Sequence, residues 1–484
     1  MSTKDPDRAG LSVAQRALLE ARLRGWRAAG AERERIPRRA TAGTAPLTFA
    51  QHGLWLFDRA APGTPLFNLP QAVRLEGPID VPVLGRALQE IVARHEILRT
   101  VFEGDDDEPS QVVRTDVDVP FDVLDLSNAP AAGRARLLSL IAERDAIEPF
   151  DLSRGPLARF TLLRAGEQEH VLLLTMHHII TDGWSFGVLM SELTRLYTGF
   201  IDDVVPVLPP LPIQYADYAT WERSHFSQER ISELYGHWQR RLGHDMAVPL
   251  PTDKPRPEQP SYLMCKQEKE LSQELLQSFE LLRGERGITP FMILTGAVLI
   301  LLRELTGQDE SSVGTFVSNR NHTEVENLLG LFVNTVIIRT DLSSDPTLRE
   351  VLTRVQTATL AALDEQELPF ECFVQEWKKE EGDDPRKLFQ VMVTAENAMP
   401  ERIELPGVKL STFARNEDSP TLSLTSFEWI LVLKEHWGRT SLTWTYQTDL
   451  FDASTIEHWF NRLSCLLESL ASEPGRRLSD LRAP

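Results

Sequence analysis

LLLTMHHIITDGWSFG, residues 172–187, carries an apolar run into two adjacent histidines and then turns at Asp182-Gly183. Side chains alternate across a strand, so Leu173 and Thr175 share a face with His177, and Leu172, Leu174 and Met176 one with His178. Both faces are largely apolar, which predicts a central strand covered on both sides. Neighbouring histidines then point apart and cannot chelate one metal together. No His-x-x-x-His helix supplies an alternative set, so no metal is expected. One imidazole is held by the core; the other faces outward and can accept a proton near neutral pH, which suits a general base.

Asp182 has two readings, which the sequence leaves open. It can cap the helix that starts near Ser185. As a buried carboxylate it can also require a cation. Arg320, at the end of the strand "VGTFVSNR", is the first candidate partner and Arg339 the second. Gly183 opens backbone conformations closed to other residues and leaves its N–H approachable. "GWSFG" matches G-x-S-x-G, the pattern of a serine nucleophile. However, Ser185 lies seven residues past His178, and no glycine-rich oxyanion stretch precedes it. A helix start is the better reading.

Outward from this stretch, the chain of 484 residues is too long for one core, so two lobes are expected. Its 42% hydrophobic and 25% charged residues fit a globular protein. A net charge of −20 argues against nucleic acid. No run reaches the roughly 20 apolar residues of a membrane span, and the start lacks a secretory signal. Cys265, Cys372 and Cys465 form neither a disulfide framework nor a zinc site. A cytoplasmic location is therefore expected.

Residues 1–43 carry ten Lys/Arg against five Asp/Glu and read as a basic helix with Ser12 as N-cap, then a linker. From there strands and helices alternate. "QAVRLEG", "LARFTLLRAG" and "EHVLLLTMHH" read as strands; Asp80 opens an amphipathic helix. Proline-rich residues 202–212 mark the expected break. The lobes are thus 44–212, carrying the histidines, and 213–484, of similar mixed rhythm. A site between them is expected, since small-molecule sites favour such interfaces.

"HHIITDG" resembles the HHxxxDG motif of the condensation domains of nonribosomal peptide synthetases. Further motifs follow in family order: "LTFAQHGLWLFDR" (47–59), "RHEILRTVF" (94–102), "YADYATW" (215–221), "GLFVNTVIIR" (330–339) and "ELPFE" (367–371). The resemblance covers residue 44 to the C-terminus. It implies an α/β (α+β) fold of two chloramphenicol-acetyltransferase-like lobes, a V-shaped pseudo-dimer with a tunnel between them. The implied reaction is attack of an acceptor amine, or an alcohol, on a thioester held by a carrier protein's phosphopantetheine arm. The partners are carrier proteins, with a small-molecule acceptor also admissible; no bound cofactor is implied.

The second histidine of the motif, His178, is the implied working residue, as base or positioner. His177, Asp182 and Gly183 support it, with Arg320 behind them. Asn334 and Trp55 lie in family motifs and are tunnel candidates, with structural hydrogen bonding or packing the alternative for each. Gly53 stands where the first motif usually has Arg, and "EQELPFE" replaces the usual start of the sixth. The chain shows no carrier attachment site and no adenylation loop, so action in trans on separate carriers is expected. Alternatives are an inactive recruiting platform of the same fold and a carrier-bound aminoacyl epimerase.

Overall fold

The computed structural model describes residues 35–40, 43–105, 108–115, 119–243, 249–257, 261, 263–382, 388–397, 405–413, 421–422, 427–436 and 439–481. The basic helix expected before residue 35 lies outside them.

The first half runs β1 (Thr44–Pro46), α1 (Phe49–Ala60), β2 (Asn68–Glu76), α2 (Val81–Arg94), β3 (Thr100–Glu103), β4 (Ser110–Val113), β5 (Phe121–Asp125), α3 (Ala131–Ile147), β6 (Ala158–Arg164), β7 (Glu169–His177) and α4 (Gly183–Ile201). The second runs α5 (Tyr215–His225), α6 (Gln228–Leu242), β8 (Leu263–Glu270), α7 (Gln273–Arg286), α8 (Pro290–Thr306), β9 (Glu310–Val317), β10 (Asn334–Asp341), α9 (Leu348–Asp364), α10 (Phe370–Glu381), β11 (Val391–Asn397), β12 (Lys409–Thr412), β13 (Thr421–Leu422), β14 (Trp429–His436), β15 (Arg439–Gln447) and α11 (Ala453–Ser472).

β7 is the middle strand of a five-stranded sheet ordered β12-β2-β7-β6-β5. The two-sided apolar pattern is explained by its neighbours. Leu172, Leu174 and Met176 join one core cluster; Val171 and Leu173 join another beneath α3. Each fully buried aliphatic side chain contributes roughly 1.5–3 kcal/mol over an exposed one. A seven-stranded sheet, β10-β9-β11-β14-β15-β8-β13, holds the second half, and β1-β4-β3 form a third sheet.

The halves are not separated at residue 212. β12 pairs antiparallel with β2, so a strand of the second half closes the first half's sheet. Tyr215, Tyr218, Val325, Leu328, Leu329, Leu331 and Phe332 are likewise buried in the first half's core cluster. The division expected from the proline-rich linker marks a turn in the chain but not a boundary between cores. No single helix among the described residues is long and apolar enough to cross a membrane.

Candidate active site

β7 ends by design of its neighbours. His177 N–H donates to Leu157 O and His178 N–H to Phe67 O, after which the chain enters a 3₁₀ turn, His178–Ile180. The His177 ring packs edge-on between Phe67 and Phe150, with centroids 6.0 and 6.2 Å away. Its Nδ1 accepts the Ile179 N–H at 3.1 Å. Burial first, and the neighbouring His178 second, push its pKa down to about 3. His177 is therefore neutral and occupied in structure.

His178 lies in the turn and not in the strand, so strand alternation does not by itself place its ring. It is half-buried, and its Nδ1 sits 2.7 Å from Thr181 O. A carbonyl can only accept, so Nδ1 carries the proton and the neutral ring keeps its lone pair on Nε2. The turn thus fixes the tautomer that a base needs.

Asp182 does both things the sequence allowed. With extended backbone (φ −139°) it caps α4, accepting Ser185 N–H at 2.7 Å. Its carboxylate also pairs with Arg320 Nη2 at 3.2 Å and accepts Phe332 N–H at 3.0 Å. Arg320 Nη1 donates to Val325 O and Leu328 O at 2.5 and 2.8 Å. Burial pulls the guanidinium below its ordinary value and Asp182 pulls it back. Arg339, the second candidate, instead pairs with Glu310 at 2.6 Å.

Ser185 is fully enclosed. Its Oγ lies 2.7 Å from Asp182 Oδ1 and 2.9 Å from Gly330 O, and accepts from Arg320 Nη2 at 2.9 Å and Gly330 N–H at 3.0 Å. No lone pair is directed at solvent, so the nucleophile reading fails on geometry. Gly183 corrects another expectation. It is exposed, its φ lies outside the left-handed region, and a Cβ there meets nothing within 4 Å. Backbone freedom is not what the glycine supplies; it leaves open space beside the first N–H of α4.

The tunnel candidates turn inward. Asn334 Nδ2 donates to Gln366 O and Leu368 O at 2.8 and 2.9 Å. Its Oδ1 accepts the N–H groups of Thr335 and Phe370 at 2.8 and 2.9 Å. The carboxamide is consumed in fastening α10 to β10. Trp55 is 3% exposed and belongs to the first half's core. Both act in packing. Among the described residues no group of three or more His, Cys, Asp or Glu side chains is arranged to hold a metal.

Sequence reasoning missed Gln51 and Tyr215. Gln51 is fully buried and donates from Nε2 to Ile179 O, inside the His178 turn, at 3.0 Å. Tyr215 donates to Leu331 O at 2.6 Å and lies 3.2 Å from Thr48 Oγ1. A polar residue on the buried face of a capped helix was the only available signal. Glu222, also missed, accepts Phe49 N–H at the start of α1 and the Tyr218 hydroxyl, at 2.9 and 3.1 Å. Burial lifts its carboxyl to about 7 against these two bonds.

Similarity to known proteins follows the same outline. The chain is 38% identical over 437 residues to a protein of the linear gramicidin synthase from Brevibacillus parabrevis, covering 90% of itself and 8% of that protein. It is 36% identical over 477 residues to phosphinothricin tripeptide synthetase PhsC of Streptomyces viridochromogenes, covering 98% of itself and 43% of that protein. The chain thus spans less than half the length of these relatives. Among solved structures, the X-domain in complex with OxyB from teicoplanin biosynthesis matches with a TM-score of 0.77 at 30% identity, over 93% of this chain and 98% of that one. The Condensation domain family matches residues 41–484, and the chain, a mixed α/β protein of three sheets, belongs to that family.

Proposed function

We propose that the chain joins a carrier-bound acyl or aminoacyl thioester to an acceptor amine, or an alcohol, releasing the carrier thiol. The observation that carries this reading is His178: Nδ1–H is fixed on Thr181 O, and among the described residues Nε2 of the half-buried ring has no hydrogen-bond partner and can accept a proton. The amine nitrogen attacks the thioester carbonyl, His178 Nε2 accepts the proton lost from nitrogen, and the C–S bond breaks as sulfur takes a proton back. A thioester is already activated, so alignment of two substrates supplies much of the rate and the base roughly 10²–10⁴-fold. The open space at Gly183, beside the N-terminal turn of a helix, suits the developing oxyanion.

Asp182 and Arg320 are assigned to holding the turn. The partners in this reading are carrier proteins, donor and acceptor, with a small-molecule acceptor also admissible. The working compartment is the cytoplasm, and no resident cofactor is required beyond the carriers' phosphopantetheine arms.

The test is to supply donor-loaded carrier with amines and alcohols and follow products by intact mass and chiral analysis. Amide or ester formation supports the reading; inverted carrier-bound product without condensation would make the chain an epimerase. A recruiting platform is the second reading, favoured by the complex that the related X-domain forms with OxyB. Absence of any product together with capture of another enzyme of the same assembly would select it.

A further inference from the structure

The His178 turn is gripped from two directions, and the two grips are connected through the second half of the chain. On one side Asp182 is tied to Arg320, Ser185 and Phe332 N–H. On the other, Gln51 Nε2 holds Ile179 O at 3.0 Å. Gln51 N–H in turn donates to Thr48 Oγ1 at 3.1 Å, and that hydroxyl meets Tyr215 OH at 3.2 Å. Tyr215 OH donates to Leu331 O, the residue between Gly330, bonded to Ser185, and Phe332, bonded to Asp182. The path therefore closes on itself: turn, α1, α5, the 330–332 segment, Asp182, turn.

Every side chain on this circuit (Gln51, Thr48, Tyr215, Ser185, Asp182 and Arg320) is buried. In such surroundings each bond is costly to leave unmade. We propose that Gln51 is a positioning residue for His178 and that Tyr215 couples it to the 330–332 segment. The inference rests on the condensation reading, because it concerns how His178 Nε2 is aimed. Ile179 O is one residue from the ring, so losing its donor lets the 3₁₀ turn relax while Thr181 O still holds Nδ1. A misplacement of about 1 Å can cost 10²-fold in rate without touching either substrate's binding surface.

Gln51→Glu isolates this role. Its carboxylate keeps the acceptor that the α1 capping box uses, Thr48 N–H to Oε1 at 3.1 Å, but puts an acceptor where Ile179 O needs a donor. Gln51→Glu and Tyr215→Phe are to be assayed at pH 8 with the wild type and His178→Ala, by steady-state kinetics, thermal melting and ¹⁵N-histidine NMR. Expected are a kcat lower by about 10- to 100-fold for Gln51→Glu, KM for donor and acceptor within about twofold, and an altered His178 ring resonance. Tyr215→Phe should lower kcat less, and the double variant should be non-additive, as members of one network are.

A merely structural role would lower the melting temperature and leave kcat per folded enzyme and the His178 resonance unchanged; that outcome overturns the inference. If His178→Ala itself retains wild-type turnover, the failure belongs to the condensation chemistry assigned to His178. If His178→Ala is inactive and Gln51→Glu is not impaired, only the positioning role falls.

Discussion

His177 and His178 are adjacent and chemically identical, and the fold sends them to opposite fates. His177, enclosed by two phenylalanines and pushed to about 3 by burial, binds no proton in the folded state until strongly acid pH. Unfolded, the same ring takes a proton near 6.5. The unfolded chain therefore binds more protons between these values, and stability present above 6.5 is lost as pH falls towards 3, by up to about 1.4 kcal/mol per unit. His177→Gln is expected to flatten that acid limb in denaturant titrations at several pH values. Glu222 has the opposite sign: its folded pKa of about 7 exceeds the ordinary 4.5, so its contribution is full below 4.5 and fades as pH rises through 7. At Ser185, substitution by Ala removes the hydroxyl partner of Gly330 N–H while Asp182 and Arg320 keep each other, and a loss of about 1–3 kcal/mol with no fluorophosphonate labelling in the wild type is expected. Covalent capture at Ser185 would contradict its enclosed geometry. Asp182→Ala and Arg320→Ala each leave a buried charge unpaired, costing about 3–5 kcal/mol, and their double variant should cost clearly less than the sum.

Elements carry the next set of constraints. The chain at Gly330 runs with φ +156°, and a Cβ there would lie 2.0 and 2.3 Å from two carbons of the Tyr215 ring. Gly330→Ala is expected to lower stability by about 1–3 kcal/mol in chemical denaturation, because α5 cannot retreat without breaking Tyr215 from Leu331. Asn334→Ala should likewise cost stability, detaching α10 from β10, with KM for both substrates nearly unchanged; a selective KM rise would restore a substrate contact. Much at this scale was legible. The run from Leu172 read as a two-sided strand and Asp80 and Asp182 as caps, because periodicity and capping are local. The start of α4 is Gly183 and not Ser185, since the cap is Asp182 and the helix begins directly after it. For Asn334 and Trp55 the sequence left tunnel lining and structural bonding or packing both open, because motif membership says that a residue matters and not which way its side chain points. Gln51 was invisible for a related reason: its partner is a backbone carbonyl 128 residues away.

At the scale of the whole molecule, the two halves are woven together. β12 completes the first half's sheet on β2, and the 325–332 segment fills its core around Tyr215. Neither could be read from the sequence. Four residues at Lys409–Thr412 carry too little pattern to name a partner strand some 330 positions earlier, and a proline-rich linker signals a turn whether or not cores separate there. Residues 35–212 expressed alone should therefore fail to unfold cooperatively and should bind hydrophobic dyes, whereas the intact chain should not; a cooperative, dye-free fragment would contradict the shared core. This weaving puts Arg320 behind Asp182, and so makes the His178 turn a joint product of both halves. The most direct measurement of the central claim is single-turnover amide formation from donor-loaded carrier, comparing His178→Ala with the wild type at equal folded concentration. The account expects a loss of at least about 100-fold, the low end for a missing general base. An undiminished rate would remove His178 from the chemistry and contradict the account.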